Sequence, residues 1–208
     1  MKAMKAVFSC LILAVLSGYS VTSSATPFYV GGHLGRTTID DDSYFNQVSS
    51  PSSFSDFTTT YSIFTGMTIT RGWSLEVEIG MHEKFEARSK DSSFSQKLSL
   101  ENTFARINLK QDFALANSFR WYIKESLGVS EVEQKFSDNH FLNPKNRTEN
   151  ETVFYPAIAL GLQRPFEYIN NKFIVYAEWQ YSGYNLEGVN STYNIRYNSL
   201  GIGLQWAF

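Results

Sequence analysis

Six charged residues, Glu76, Glu78, Arg106, Lys110, Lys124 and Glu178, have the chemistry for ion pairing or acid–base work if the fold gathers them. Each sits in a stretch where apolar and polar residues alternate, and each occupies the polar phase. On a β-strand the two phases point to opposite faces, so the six share one side of a sheet. Three histidines are the other candidates for proton transfer. His33 and His82 fall on the same phase as the charges, and His140 lies in a polar run with Ser137 and Asp138 close by. A lone histidine among polar neighbours is usually a hydrogen-bonded structural residue. Metal-ligand spacings and phosphate-cradling glycine loops are missing, so no catalytic residues, metal site or cofactor is expected.

The elements that carry these residues are eight alternating segments: Phe28 to about Thr38, Phe57 to Thr70, Trp73 to His82, Glu101 to Asp112, Trp121 to about Glu133, Phe154 to Gln163, Phe173 to Ser182, and a last one from about Tyr193. Short connections follow the second, fourth and sixth (Arg71-Gly72, Phe113 to Ser118, Glu167 to Asn171). Long connections rich in Ser, Asn and Asp follow the first, third and fifth (Asp40 to Asp56, Arg88 to Gln96, Phe136 to Glu151). Trp73, Trp121, Phe166, Phe173, Trp206 and Phe208 gather at the short-turn end, as an interfacial aromatic belt does. Two residues disturb the pattern. Glu125 takes the apolar phase in mid-strand, where a bulge, a register change or contact with another protein is expected. Pro156 lacks an N–H and is expected near the rim.

The chain closes on Ser199 to Phe208, where Leu200, Ile202, Leu204, Trp206 and Phe208 share one phase. A strand facing lipid needs such an apolar outer face, and a closed antiparallel barrel reconciles 16% aromatics with only 43% hydrophobic residues. No segment approaches the ~18 consecutive apolar residues of a spanning helix. At the other end, Lys2 and Lys5 precede an apolar run from Ala6 to Leu16 and the small residues Ser23-Ser24-Ala25, predicting a signal peptide over 1–25 and a barrel over 26–208. Its removal would leave 183 residues without the single cysteine, Cys10, and would lower Lys+Arg from 18 to 16 against 20 acids, a formal charge of −4. With no basic stripe, nucleic acid is not an expected partner.

Three motifs carry a family likeness. FYVGGHLG resembles the first strand, INLKQDF the end of the fourth, and SLGIGLQWAF the closing strand of the small eight-stranded bacterial outer-membrane barrels, the group of outer membrane protein A transmembrane domains, opacity proteins and Ail-type adhesins. The resemblance implies an up-and-down transmembrane barrel in the outer membrane, with lipids and lipopolysaccharide around it. It also implies that the alternating ending, Leu200 to Phe208, is read by the barrel-assembly machinery. No peptidoglycan-binding domain is expected after Phe208, so an envelope-tethering role like that of full-length outer membrane protein A is not implied. The histidines do not match the lipid A-modifying members: none stands in the His-x-Ser-Asn pattern of the deacylases.

An eight-stranded barrel is just wide enough inside for side chains. The six inward charges are therefore expected to form a mutually neutralised polar plug, with Glu76 or Glu78 paired to Arg106 or Lys110. Eight inward glycines, among them Gly31, Gly66, Gly128 and Gly161, are expected to make room for the long Arg, Lys and Glu side chains. The expected function is presentation of surface loops for adhesion, colonisation or host and envelope interaction, with a host-surface ligand bound through the loops. The alternatives are a narrow solute channel and a lipid A-modifying enzyme.

Overall fold

The computed structural model describes residues 28–40, 44–48, 53–90, 95–115, 118–139, 145–168, 171–187 and 192–208. The expected signal peptide and His140 lie outside the described residues, as do Asp41, Asp42 and Asp91. Among these residues nine strands follow one another: β1 (Phe28–Asp40), β2 (Ser53–Ser55), β3 (Phe57–Thr70), β4 (Trp73–Lys90), β5 (Ser95–Ala114), β6 (Arg120–Asp138), β7 (Lys145–Tyr168), β8 (Asn171–Glu187) and β9 (Thr192–Ala207). Eight of them close an antiparallel barrel in which β1 pairs with β3 on one side and β9 on the other. The short β2 continues the line of β3 along β4, pairing Ser53 with Arg88. Closure satisfies every strand edge in the hydrocarbon, where an unpaired backbone group would be costly. The last residue takes part, since Phe208 N donates to Phe28 O at 3.1 Å.

The apolar phase faces outward. Val30, Leu34, Ile63, Ile107, Leu160, Leu200, Ile202 and Leu204 are all exposed around the wall, which is stable only against lipid. Aromatic pairs mark the short-turn rim: Phe113 stacks on Trp121 with centroids 4.2 Å apart, and Phe166 on Phe173 at 5.5 Å. The Arg71-Gly72 turn uses Gly72 at φ 84, a left-handed conformation that a side chain disfavours.

Strands β4 to β7 run far beyond the ~9–11 residues that cross a bilayer. Stretches expected as loops are therefore strand: β1 reaches Asp40, β4 reaches Lys90, β5 begins at Ser95, β6 reaches Asp138 and β7 begins at Lys145. The first long connection is not a free loop either. Its 3-10 turn, Tyr44–Gln47, sends Tyr44, Phe45 and Val48 into the outer mouth of the barrel. There they join Ile39, Phe85, Leu98, Leu100, Val132, Leu186, Ile195 and Tyr197 in one buried apolar cluster. The interior thus has two tiers, polar near the short turns and apolar towards the outside.

Three expectations need correction. Pro156 is not at the rim: it faces Leu127 within the β6–β7 ladder, one residue past the outermost β7–β8 pair, Ala157 with Ser182. A missing N–H costs less there because the β7–β8 ladder has already ended. No bulge or register change excuses Glu125, because β5–β6 and β6–β7 pair in continuous register through it. The inward glycines chiefly accommodate rings rather than Arg, Lys or Glu. Tyr29 lies across from Gly66, Phe64 from Gly31, Phe104 from Gly80, Tyr155 from Gly128, Tyr122 from Gly161 and Tyr176 from Gly203. A Cβ at any of these glycines would strike the ring or the adjoining backbone.

Folded protein kept unheated in SDS should migrate apart from boiled protein, since the closed ladder offers detergent no edge. Phe45→Ala should lower the temperature at which the two bands convert, consistent with a loss of about 3–5 kcal/mol for truncating a buried aromatic; an unchanged conversion temperature would show that the loop residues do not cork the barrel.

Candidate functional site

Inside the lower tier, β4 supplies Glu76 and Glu78, two residues apart and so on the same face. Their β5 neighbours across the ladder are Asn108 and Arg106. Arg106 grips Glu78 with two parallel bonds, Nε to Oε2 at 2.8 Å and Nη2 to Oε1 at 2.6 Å. This fork geometry is the strongest ion pair that side chains make. Asn108 Nδ2 donates to Glu78 Oε2 at 2.8 Å and reaches Glu76 Oε2 at 3.4 Å, linking the two carboxylates.

Lys124 comes from β6 and binds carboxylates of two other strands, Glu178 Oε2 at 2.8 Å and Glu76 Oε2 at 3.3 Å. Tyr29 O–H donates to Glu76 at 2.9 Å and Tyr122 O–H to Glu178 at 2.8 Å. Lys110 stands apart from the glutamates. It donates to Gln163 Oε1 at 2.8 Å, faces Asp112 at 3.7 Å and lies 4.4 Å from the centre of the Tyr122 ring. All six charged residues are buried, with Glu76 only 1% exposed. Tyr29, Asn108, Tyr122 and Gln163 belong to the same network; their inward phase was visible in the sequence, but their partners depend on strand register and the curve of the wall.

The histidines lie higher. His33 stacks on Tyr176, and its Nδ1 has no hydrogen-bond partner. His82 Nδ1 is hydrogen-bonded to Thr60 at 2.6 Å, and its ring stacks on Tyr197 at 4.9 Å. Thr60 continues to Thr37, which bonds Ser199 at 2.6 Å. Above this hydroxyl chain the apolar cluster begins, with Tyr184 and Tyr197 joined at 2.5 Å.

Outside the membrane the charges point to solvent. The last apolar outward residue of β4 is Met81; beyond it come Glu83, Lys84, Glu86 and Arg88. Glu86 gathers three cations: Lys84 at 2.8 Å, Lys97 of β5 at 3.0 Å, and Arg88. Partial burial pushes the Glu86 carboxyl up, but hydrogen bonds from Lys84, Arg88 and Lys97 outweigh it and hold it down to about 2. Three positive charges around one negative make this group locally basic, while Glu83 of β4 and Glu101 of β5 stand on the same outer wall. Further round, Lys135 pairs with Glu133 at 2.9 Å, and Arg147 with Glu149.

The family model described as outer membrane protein beta-barrel domain matches residues 8–208. Among solved structures, Neisserial surface protein A is 16% identical at a TM-score of 0.53, covering 87% of this chain and 97% of that one. OprG from Pseudomonas aeruginosa is 10% identical at 0.50, covering 88% and 96%. Ail of Yersinia pestis, solved with the heparin analogue sucrose octasulfate, is 12% identical at 0.48, covering 88% and 100%. No curated protein sequence matches the chain.

Two predictions follow from this geometry. Arg106→Glu alone should destabilise the barrel by about 3–5 kcal/mol, the cost of an uncompensated buried charge, and adding Glu78→Arg should recover much of it in a double-mutant cycle read by urea titration of the heat-sensitive band. Because Glu86 is depressed on folding, its stabilising contribution is complete above its usual 4.5 and is lost as pH falls through about 2. An NMR titration should place the Glu86 midpoint near 2, and Lys84→Met with Lys97→Met should move it upward.

Proposed function

The chain belongs to the outer membrane protein β-barrel family, and on that premise we propose that it is a surface interaction protein whose outer strand extensions dock an anionic partner. It resides in the outer membrane. The carrying observation is the division of labour among its charges. Those inside are bound to one another, whereas the basic group on β4 and β5, Lys84, Arg88 and Lys97 around Glu86, stands in the aqueous space beyond the membrane. The local surplus of cations around Glu86 attracts sulfated or phosphorylated glycans, including host-surface polyanions and lipopolysaccharide phosphates, through weak, salt-sensitive contacts.

Two features weigh against a solute channel. Ion pairs link neighbouring β4 and β5 and span the lower lumen from β6 to both β4 and β8, and Tyr44, Phe45 and Val48 cork the upper lumen. Against a lipid A-modifying enzyme, His82 is buried between aromatic rings, out of reach of a lipid at the outer rim. We therefore read the polar plug and the apolar cork as scaffolding. Loops tolerate change and carry recognition when the scaffold beneath them is rigid, and here part of that role passes to strands that outrun the bilayer.

Cells bearing the protein should bind immobilised heparin-like glycans in a salt-dependent manner. Charge reversal of Lys84, Arg88 and Lys97 should reduce binding by about tenfold or more, the loss of roughly 1.4 kcal/mol or greater, while leaving the heat-dependent gel shift intact. Replacing His33 and His82 should leave binding unaltered. Undiminished binding by the reversed variant would defeat the basic-wall reading, and large steady conductance in planar bilayers would promote the channel.

A further inference from the structure

Glu125 is an anomaly on the lipid-facing wall. It stands at the centre of the outward run Trp121, Ile123, Glu125, Leu127, Val129 on β6. Its neighbours across the ladder are Leu109 on β5 and Ile158 on β7, both outward and apolar. Register is continuous on both sides, so the side chain is held on the lipid face. It is exposed and has no hydrogen bond or ion pair with any described residue. A carboxylate halfway across the hydrocarbon is costly, and ionisable groups at such depth ordinarily face protein. The side chain is also too short to reach either interface from mid-wall.

We propose that the β5–β7 wall is a dimer interface within the membrane and that its occupant is a second copy of this chain. All copies insert with one orientation, so a two-fold axis normal to the membrane preserves depth. A two-fold axis beside β6 would then set Glu125 opposite the partner's own carboxyl group, the only residue type guaranteed to be polar at that level, and with a proton on at least one of the two the O–H donates across the axis to the other carboxyl oxygen. Among the described residues the remaining walls offer no second polar patch at mid-depth: Leu34, Ile63, Trp179 and Ile202 are apolar, and Thr65 is occupied by the Tyr29 carbonyl of its own barrel. One self-complementary patch makes a closed dimer, whereas a ring or filament needs two different ones. Apolar contact is available next to the carboxyl. Leu127 and Phe154 are 74% and 84% exposed, the most exposed large apolar side chains among the described residues.

The test uses Leu127→Cys, which keeps Glu125, in a Cys10→Ser background that removes the only other cysteine. A short bis-maleimide applied to intact outer membranes should yield a covalent dimer of this chain. Ile63→Cys on the opposite wall should not. Adding Glu125→Leu should abolish the cross-link and raise the dimer dissociation constant in detergent by about tenfold or more, the effect of losing a hydrogen bond involving an ionisable group. Glu125→Gln should retain it. The heat-dependent gel shift verifies folding of every variant. Equal cross-linking at Ile63, no dimer at Leu127, an adduct with a different protein, or a dimer that survives Glu125→Leu would each overturn the proposal.

Discussion

An eight-stranded barrel encloses too little space for bulk water, so each inward group must find its partner among the other inward groups. Much of the remaining structure follows from this limit. Rings of Tyr29, Phe64, Phe104, Tyr122, Tyr155 and Tyr176 fill the bore, and each lies against a glycine directly opposite on the next strand. Ring and bare backbone together occupy one slot that two ordinary side chains would overfill. Four of those aromatics are tyrosines, and two of their hydroxyls, on Tyr29 and Tyr122, close the hydrogen-bond shells of Glu76 and Glu178. Packing and charge neutralisation are therefore carried by the same residues.

The change from a polar lower tier to an apolar upper tier matters mechanically. Ion pairs depend on exclusion of water, since an aqueous surface pair contributes little. Tyr44, Phe45 and Val48 cover the outer mouth and keep water from the His82–Thr60–Thr37–Ser199 chain and from the glutamates below. With both tiers filled, the barrel is a stiff pedestal. Stiffness suits a protein that presents extended strands to a partner, because a preordered surface loses less entropy on binding.

Alternation made most of the strands legible, because lipid outside and side chains inside impose opposite chemistry on neighbouring residues. The inward phase of Glu76, Glu78, Arg106, Lys110, Lys124 and Glu178 was legible for the same reason. Their pairing was less so. Glu78 with Arg106 could be read from adjacent strands, but Lys124 meets Glu76 across the lumen from a strand two places away, and Lys110 turns to Gln163. Such contacts depend on curvature and shear, which no single strand encodes. The corking role of Tyr44 and Phe45 had a faint signal, two adjacent aromatics in a run otherwise rich in Asp and Ser, yet loop composition alone points towards solvent.

The boundary between scaffold and surface is set by one irregularity. Register shifts between His82 and Phe85 on β4. Below it, even-numbered residues face inward, as Glu76, Glu78 and His82 do; above it, Phe85, Ala87 and Ser89 are the buried set. One added residue thus reverses the phase of the outer third of the strand. Without the shift, Glu86 and Arg88 would be driven into the apolar tier and Phe85 and Ala87 out into water, which would empty the cork and strand charges inside it. With the shift, the same stretch feeds Phe85 to the apolar cluster and turns Lys84, Glu86 and Arg88 to the aqueous side. A single bulge therefore seals the lumen and builds the basic wall at once, and deleting it should cost both together.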